Sequence, residues 1–393
     1  MTAKKKPFDA PLDLELPLLQ NVEVIEVFYG RQSAVLARVI QFRFLNEFAR
    51  KIKLWFQAWK GKKIDPRSSW YASAKEQAVV LARNADIVVS TFGPSSAHLL
   101  ANEMKVSNPK LKWVADYRDL WSQSHTSVLS VQGKDEVALC ELGTVGKNAD
   151  LITSVSQDLV YKLGSLTGKK VLCVYNGFEQ GLQDLKLRLS QRSKDINTPF
   201  RIVYTGTVYE GFRDPRPLLD ALVKLQEDGD LSIGSVTIDF YGSRVGFVQK
   251  LRAHPEYNSF IRLMGHVSRD EAIKAQKTAG LLLILESSKP EARGVLTGKL
   301  YEYIAAGRPI ICIGSRPEYE IGCVLSKTGT GVVFGPDQYH ELPAVLKSTL
   351  LGAGLYEAYS PDLDEISFFT RENQAKYMLS ELLALNRESM GAR

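Results

Sequence analysis

The stretch GVLTGKLYEYIAAGRPIICIGSR, residues 294–316, decides the fold that the sequence predicts. Residues 298–306 follow a helical pattern, and Gly307 occupies the position of a left-handed C-cap. An apolar run at 280–286 comes before the helix and another at 310–313 comes after it, each short enough for a buried strand. The stretch therefore predicts a strand, a loop, a helix and a second strand in succession.

The start of this helix has the composition of an anion site. Thr297, Gly298 and Lys299 combine free backbone N–H groups, the positive end of the helix dipole and a lysine, which together suit a phosphate group. Glu302 lies about one turn further along and can accept hydrogen bonds from sugar hydroxyls. The alternative is a helix cap followed by an exposed Lys–Glu pair with no ligand.

Composition places the chain among globular proteins of two domains. It has 393 residues, of which 45% are hydrophobic and 24% charged, and its formal net charge is +6. No run of eighteen apolar residues exists, so the sequence predicts no membrane span. The four cysteines form no CxxC pair and the five histidines no HExxH pair, so we expect reduced thiols and no metal site.

Residues 31–63 form a basic segment rich in aromatic side chains. They contain nine Lys or Arg residues against one acid, Glu47, an excess of eight charges. Basic side chains interleaved with Phe and Trp suit an anionic membrane surface. A helix that packs its apolar face on the domain has the same pattern. No nucleic-acid-binding module accompanies the segment, so we expect no nucleic-acid partner.

Strands alternate with helices along the rest of the chain, which predicts doubly wound parallel sheets. We expect an N-terminal domain at 1–180 that lacks its first strand, a polar linker at 181–199, a second domain at 200–360 and a closing helix at 361–393. Polar residues follow the strands of the first domain, where ligands of such sheets bind. No GxGxxG motif follows a first strand and Gly298-Lys299 lacks the Walker A spacing, which argues against NAD enzymes and P-loop NTPases.

Several motifs in order resemble the family-4 class of glycosyltransferases with the GT-B fold, of the bacterial envelope-polysaccharide type. The resemblance covers most of the chain from about Trp70 and is strongest in GKLYEYIAAGRPIICI. It implies two Rossmann-like domains facing across a cleft, with a C-terminal helix that crosses back to the first domain. The other segments that carry it are STFGPSSAH (90–98), VADYRDLW (114–121), ITSVSQDL (152–159), YNGF (175–178), YTGTVYEGFRDPRPLLDAL (204–222) and FFTRENQAKYM.

The resemblance implies a retaining, metal-independent transfer of a sugar, of hexosyl or N-acetylhexosaminyl type, from a nucleotide diphosphate sugar to an envelope glycan or lipid-linked acceptor. No cofactor is expected, and the enzyme would be cytoplasmic or peripheral on the inner face of the membrane. Charge on the leaving diphosphate must be stabilised, which needs cations. The expected catalytic residues are Arg213, Lys299, Arg118 and Asp119. The expected donor-binding residues are Gly206, Thr207, Gly242, Thr297, Gly298, Leu300, Glu302 and Asn176.

Two departures from the family pattern keep other functions open. Gly294 stands where relatives carry a glutamate, and Thr207 stands where many carry an arginine, so no residue is assigned to the hydroxyls of the donor sugar. The usual first strand and its glycine-rich loop are not found. The alternatives are a catalytically inactive partner subunit and a nucleotide-sugar epimerase.

Overall fold

The computed structural model describes residues 1–3, 22–27, 68–124, 131–179, 181–190, 199–242, 246–287 and 289–391. Its contacts divide the chain into two compact units, Met1–Cys173 and Val174–Arg393. The basic, aromatic segment at 31–63 lies outside the described residues, so its interpretation stays a prediction.

The first unit contains a four-stranded sheet in which all pairs are parallel. Its strands lie in the order β3 (Ile87–Thr91), β4 (Lys112–Tyr117), β5 (Leu151–Ser154) and β6 (Val171–Cys173). Its core packs Trp113, Tyr117 and Ile152, all fully buried, against the helices. A short pair, β1 (Thr2–Ala3) and β2 (Glu26–Val27), lies outside this sheet. The remaining elements are α1 (Ser68–Ala82), α2 (Ser96–Ser107), α3 (Val131–Glu141), the π-helical turn Leu142–Gly146 and α4 (Gln157–Thr167).

The second unit contains a six-stranded parallel sheet, in which the strands lie in the order β12 (Gly331–Phe334), β11 (Ile310–Ile313), β10 (Leu281–Leu285), β7 (Phe200–Thr205), β8 (Val236–Tyr241) and β9 (Ile261–Gly265). Its helices are α5 (Leu182–Ser190), α6 (Arg216–Glu227), α7 (Gly246–Arg252), α8 (Pro255–Asn258), α9 (Arg269–Lys277), α10 (Gly298–Ala306), α11 (Glu320–Thr328), α12 (Leu342–Leu350), α13 (Leu355–Ala358), α14 (Leu363–Phe368) and α15 (Arg371–Gly391).

Strand β10 shows why this sheet is covered on both faces. All five of its residues are fully buried. Leu281, Leu283 and Leu285 belong to one apolar cluster, whereas Leu282 and Ile284 belong to another. Because successive strand side chains point to opposite faces, each face of the sheet has its own core. The two doubly wound, parallel-sheet halves expected from the sequence are therefore confirmed.

The predicted linker contains a helix. Leu182, Leu185 and Leu189 are spaced so that one helical face of α5 is apolar, and Leu185 is buried in the core cluster that includes α10. The Arg188 guanidinium also donates a hydrogen bond to the Ala305 carbonyl, 2.5 Å away. The helix forms within the predicted linker because its apolar stripe is removed from water by packing on the second unit.

The segment that follows β6 is hydrogen-bonded to the start of α15. The Tyr175 N–H donates to the Gln374 side chain at 2.8 Å. The Phe178 N–H donates to the Phe369 carbonyl, and Arg371 N–H donates back to the Phe178 carbonyl. These bonds tie the segment after β6 to the start of α15, so it packs with the second unit.

Candidate functional site

The carboxyl ends of the parallel strands in the second unit meet at one edge of the sheet, where ligands of such sheets bind. The loop 206–215 starts at the end of β7, and the loop 286–297 joins β10 to α10. Because β7 and β10 are paired neighbours, the two loops start side by side. The N-terminus of α10 closes the second loop and presents N–H groups that have no partner within the helix.

Lys299, in the first turn of α10, points back toward the end of β7. Its ammonium group donates to the Tyr204 hydroxyl at 2.8 Å and lies 4.0 Å from the centre of that ring. It also packs against Gly206, where a Cβ atom would come within 3.2 Å of Nζ. Lys299 is thus partly buried and held in place, so an exposed Lys–Glu pair does not form.

Arg213 lies beside Lys299 and is connected to it through Tyr204. The Arg213 guanidinium and the Tyr204 hydroxyl both donate to the Thr207 carbonyl, at 3.3 and 2.8 Å. Burial and the charge of Arg213 lower the pKa of the Lys299 ammonium well below its ordinary value. Two cations held this close attract an anion, since a ligand with negative charge relieves their mutual repulsion.

Glu286 is the functional candidate that sequence reasoning missed. It directly follows β10, and its N–H donates to the Ile313 carbonyl at 2.9 Å. Its Oε1 atom is buried and has no hydrogen-bond partner among the described residues. Burial raises the pKa of this carboxyl, against the opposite influence of Arg213 and Lys299. The only sequence signal was an acid at the end of an otherwise apolar run, GLLLILE.

The N-terminus of α10 has the open, polar character expected of an anion site. Thr297 is the N-cap residue, but its side chain makes no capping bond, and its Oγ1 atom is buried without a partner among the described residues. A Cβ atom at Gly298 would meet no described atom within 4 Å. Space therefore lies next to the free N–H groups. The helix ends at Gly307, whose φ of 73° confirms the predicted left-handed C-cap.

Glu302 is one turn beyond Lys299 and is held by a buried glutamine. The Gln276 side-chain amide donates to a Glu302 oxygen at 3.4 Å and to the Thr205 hydroxyl at 3.1 Å. Thr205 is fixed in turn, because its N–H donates to the Tyr303 hydroxyl at 2.9 Å. The Glu302 carboxylate keeps acceptor capacity for a ligand, since it has two oxygens.

Two glycines allow the loops after β7 and β8 to approach each other. Gly206 has a φ of 118°, a conformation that glycine adopts without strain. A Cβ atom at Gly242 would lie 2.4 Å from the Gly206 carbonyl oxygen. Both positions therefore need glycine for backbone packing, and Gly206 needs it also because Lys299 lies against it.

Leu300 and Asn176, two predicted donor-binding residues, differ in how far they are exposed. The Leu300 side chain is fully buried in the core, and its N–H donates to the Thr297 carbonyl at 3.1 Å, so it has no free polar group there. Asn176 is half-buried in the segment that packs on the start of α15.

The first unit carries the other predicted catalytic residues. Arg118 and Asp119 directly follow β4 and are both exposed. Asp116, inside the strand, accepts a hydrogen bond from the Thr153 hydroxyl at 2.8 Å, and burial raises its pKa. Nearby, the Ser90 hydroxyl lies 2.7 Å from Nδ1 of the fully buried His98, an arrangement that the sequence did not predict.

Over the part of the chain that the structure describes, no group of three or more His, Cys, Asp or Glu side chains is arranged to hold a metal ion. None of the helices described is both long and apolar enough to cross a bilayer.

No protein-family model and no curated protein matches the sequence. Solved structures, however, match it over most of its length. A sucrose-phosphate synthase from Thermosynechococcus elongatus is 15% identical with a TM-score of 0.53, covering 83% of this chain and 78% of that one. A glycosyltransferase from Rickettsia africae is 13% identical with a TM-score of 0.54, covering 80% of this chain and 82% of that one.

A third structure is a variant of TarM from S. aureus, in complex with fondaparinux, α-GlcNAc-glycerol and UDP. It is 10% identical with a TM-score of 0.53, and the match covers 79% of this chain but only 58% of TarM. At such low identity these similarities establish architecture alone. The chain has the fold of GT-B glycosyltransferases, built from two parallel-sheet Rossmann-like domains.

Proposed function

We propose that this chain is a retaining glycosyltransferase that transfers a hexosyl or N-acetylhexosaminyl group from a nucleotide diphosphate sugar. The acceptor would be an envelope glycan or a lipid-linked saccharide. The observation that carries the proposal is the pair of cations, Arg213 and Lys299, at the N-terminus of α10 on a GT-B fold. Neither the epimerase nor the inactive partner subunit is favoured by a particular observation.

The pair of cations suits the chemistry of sugar transfer. When the bond to the sugar breaks, negative charge develops on the leaving diphosphate, and cations already in place stabilise it without reorganising. The α10 N–H groups at Gly298 and Lys299 add hydrogen bonds to the same phosphates. Glu302 would bind the ribose hydroxyls. No metal ion or cofactor is required in this scheme, because Arg213 and Lys299 supply the positive charge.

Two of the matched structures lend support to the proposal. One concerns trehalose-6-phosphate synthase and glycosyl transfer with retention, and the match to it has a TM-score of 0.53 at 12% identity. The TarM structure contains UDP and an α-GlcNAc compound. The proposal assigns acceptor recognition to Arg118 and Asp119, and peripheral attachment to an anionic membrane on the cytoplasmic side to the segment 31–63.

Calorimetric titration of the full chain with UDP, GDP and their sugar conjugates tests the proposal. We expect one nucleotide and its sugar conjugates to bind, and the sugar to be released or transferred when an acceptor is added. Conversion of the donor into an isomer without acceptor would instead indicate an epimerase. Failure of every nucleotide to bind would refute the proposed function.

The lowered pKa of Lys299, to about 7, gives the proposal a pH signature. A bound diphosphate favours the charged ammonium, so the pKa of Lys299 rises on binding. Affinity for the nucleoside diphosphate should therefore fall as pH rises above about 7, by up to about 10-fold per pH unit.

Titrations between pH 6.5 and 9 measure this dependence. Lys299→Arg is the matched control, because a guanidinium stays charged throughout that range and should remove the slope. An identical slope in the wild type and in Lys299→Arg would show that Lys299 is not the titrating group.

A further inference from the structure

Glu286 is a half-buried residue with a fully buried carboxylate oxygen, Oε1, and the proposed phosphate contacts do not use it. Its backbone is fixed on both sides, by the bond from its N–H to the Ile313 carbonyl and by close packing of its own carbonyl on Gly314. A Cβ atom at Gly314 would come within 2.3 Å of the Glu286 carbonyl oxygen. The side chain is therefore held at the carboxyl end of β10, at the ligand edge of the sheet.

The cost of this arrangement points to a missing partner. A buried polar atom without a hydrogen bond is destabilising, and a buried charge more so. Oε1 of Glu286 is such an atom among the described residues. Arg213 and Lys299 are close enough to influence its ionisation electrostatically, yet neither donates a hydrogen bond to this oxygen. Their positive charge offsets part of the free energy needed to bury the Glu286 carboxylate, but Oε1 still lacks a hydrogen bond.

Only a hydrogen-bond donor can satisfy a carboxylate oxygen. The phosphate groups expected at Arg213 and Lys299 carry no donor and repel a carboxylate. A donor that the ligand supplies to this oxygen would therefore come from the part next to the phosphates. The ribose is assigned to Glu302, which leaves the group on the other side of the diphosphate.

We propose that Glu286 accepts a hydrogen bond from a hydroxyl of the donor sugar and so helps to determine which sugar is transferred. This inference rests on the proposed function and adds a specificity residue to it. Gly294, at a buried turn of the loop 286–297, has no side chain with which to contact the sugar. Glu286 stands at the start of the same loop and would supply the carboxylate for that contact.

The competing explanation is that Glu286 only balances the charges of Arg213 and Lys299. The two roles predict opposite effects of a Glu286 variant on the affinity for the free nucleotide. If Glu286 binds the sugar, Glu286→Gln removes a negative charge near the diphosphate, so free UDP or GDP should bind as well as before or more tightly. If Glu286 only positions the cations, its loss should weaken the binding of the free nucleotide and of the nucleotide sugar by the same factor.

The experiment compares the affinity of the full chain for the free nucleoside diphosphate and for its sugar conjugate by calorimetry. We expect Glu286→Gln to lower the ratio of sugar-conjugate to free-nucleotide affinity by about 10-fold, because the amide oxygen accepts a weaker hydrogen bond than the charged carboxylate does. Glu103→Gln, which removes a paired carboxylate in the first unit, should leave the ratio unchanged.

Deoxy-sugar donors provide a second measurement that does not depend on the variant. One deoxy position should weaken binding to the wild type, and its effect on binding to Glu286→Gln should be clearly smaller, because the amide accepts only a weaker hydrogen bond. An equal loss for free and sugar-linked nucleotide in Glu286→Gln, or full additivity with every deoxy sugar, would overturn the inference while leaving nucleotide binding intact. Absence of nucleotide binding by the wild type would instead overturn the proposed function, and this inference with it.

Discussion

Replacement of Arg213 by alanine should lower kcat for sugar transfer by about 100- to 1000-fold, the usual effect of removing one preorganised group that stabilises developing charge. The guanidinium is held by the Thr207 carbonyl at 3.3 Å and packs over the Tyr209 ring at 5.3 Å. Because it is fixed before the reaction begins, it stabilises the leaving diphosphate without reorganisation. Lys299 remains in the variant, so some activity should persist.

The effect should appear in both turnover and product affinity. Charge on the diphosphate is greater after the bond to the sugar breaks, so kcat should fall more than affinity for the donor. Binding of free UDP or GDP, which resembles the leaving group, should weaken as well. Steady-state kinetics and calorimetry on the same preparation measure the two effects.

Arg216→Ala is the matched control for this prediction. Arg216 is three residues further along, is exposed, and forms its ion pair with Asp214. An exposed ion pair contributes little free energy, so we expect activity within about twofold of the wild type. Equal losses for Arg213→Ala and Arg216→Ala would indicate a general dependence on positive charge rather than a specific contact.

The sequence predicted those elements whose signals are local. Helix α10 has the predicted bounds, 298–306, because its apolar period, N-cap and Gly307 all lie within one short stretch. The alternation of apolar strands with helices likewise predicted two parallel sheets. These features need only near neighbours in the chain, so one sequence suffices to recognise them.

The candidate site depends on residues far apart in the chain, and this limited its prediction. Nothing in the sequence shows that the ammonium of Lys299 donates to the hydroxyl of Tyr204, 95 residues earlier. Glu286 was missed for the same reason, since a carboxylate after an apolar strand is usually exposed. Leu300 was predicted to bind the donor because it stands between other predicted site residues in the motif. In the structure its side chain packs in the core of the second unit.

Replacement of Arg201 by methionine should destabilise the second unit by about 3 kcal/mol, the low end of the range for breaking a buried ion pair. Asp239 in β8 is fully buried. Arg201 in β7 donates to one of its oxygens at 2.9 Å, while Arg262 in β9 lies 3.6 Å from the other. Removal of Arg201 leaves a buried carboxylate with the longer contact to Arg262 and a hydrogen bond from the Thr237 hydroxyl at 3.1 Å, but with no close cation. Urea denaturation of the full chain measures the loss.

Two further variants separate the ion pair from simple packing. Arg262→Met should cost less than Arg201→Met, because Arg262 is 46% exposed and its contact is longer. Asp239→Asn combined with Arg201→Met should recover part of the lost stability, since the neutral amide no longer leaves a charge unpaired. If the double variant is no more stable than Arg201→Met alone, the lost stability comes from the packing of the Arg201 side chain and not from the ion pair. Recovery would show that the sheet beneath the proposed nucleotide site depends on this buried charge pair.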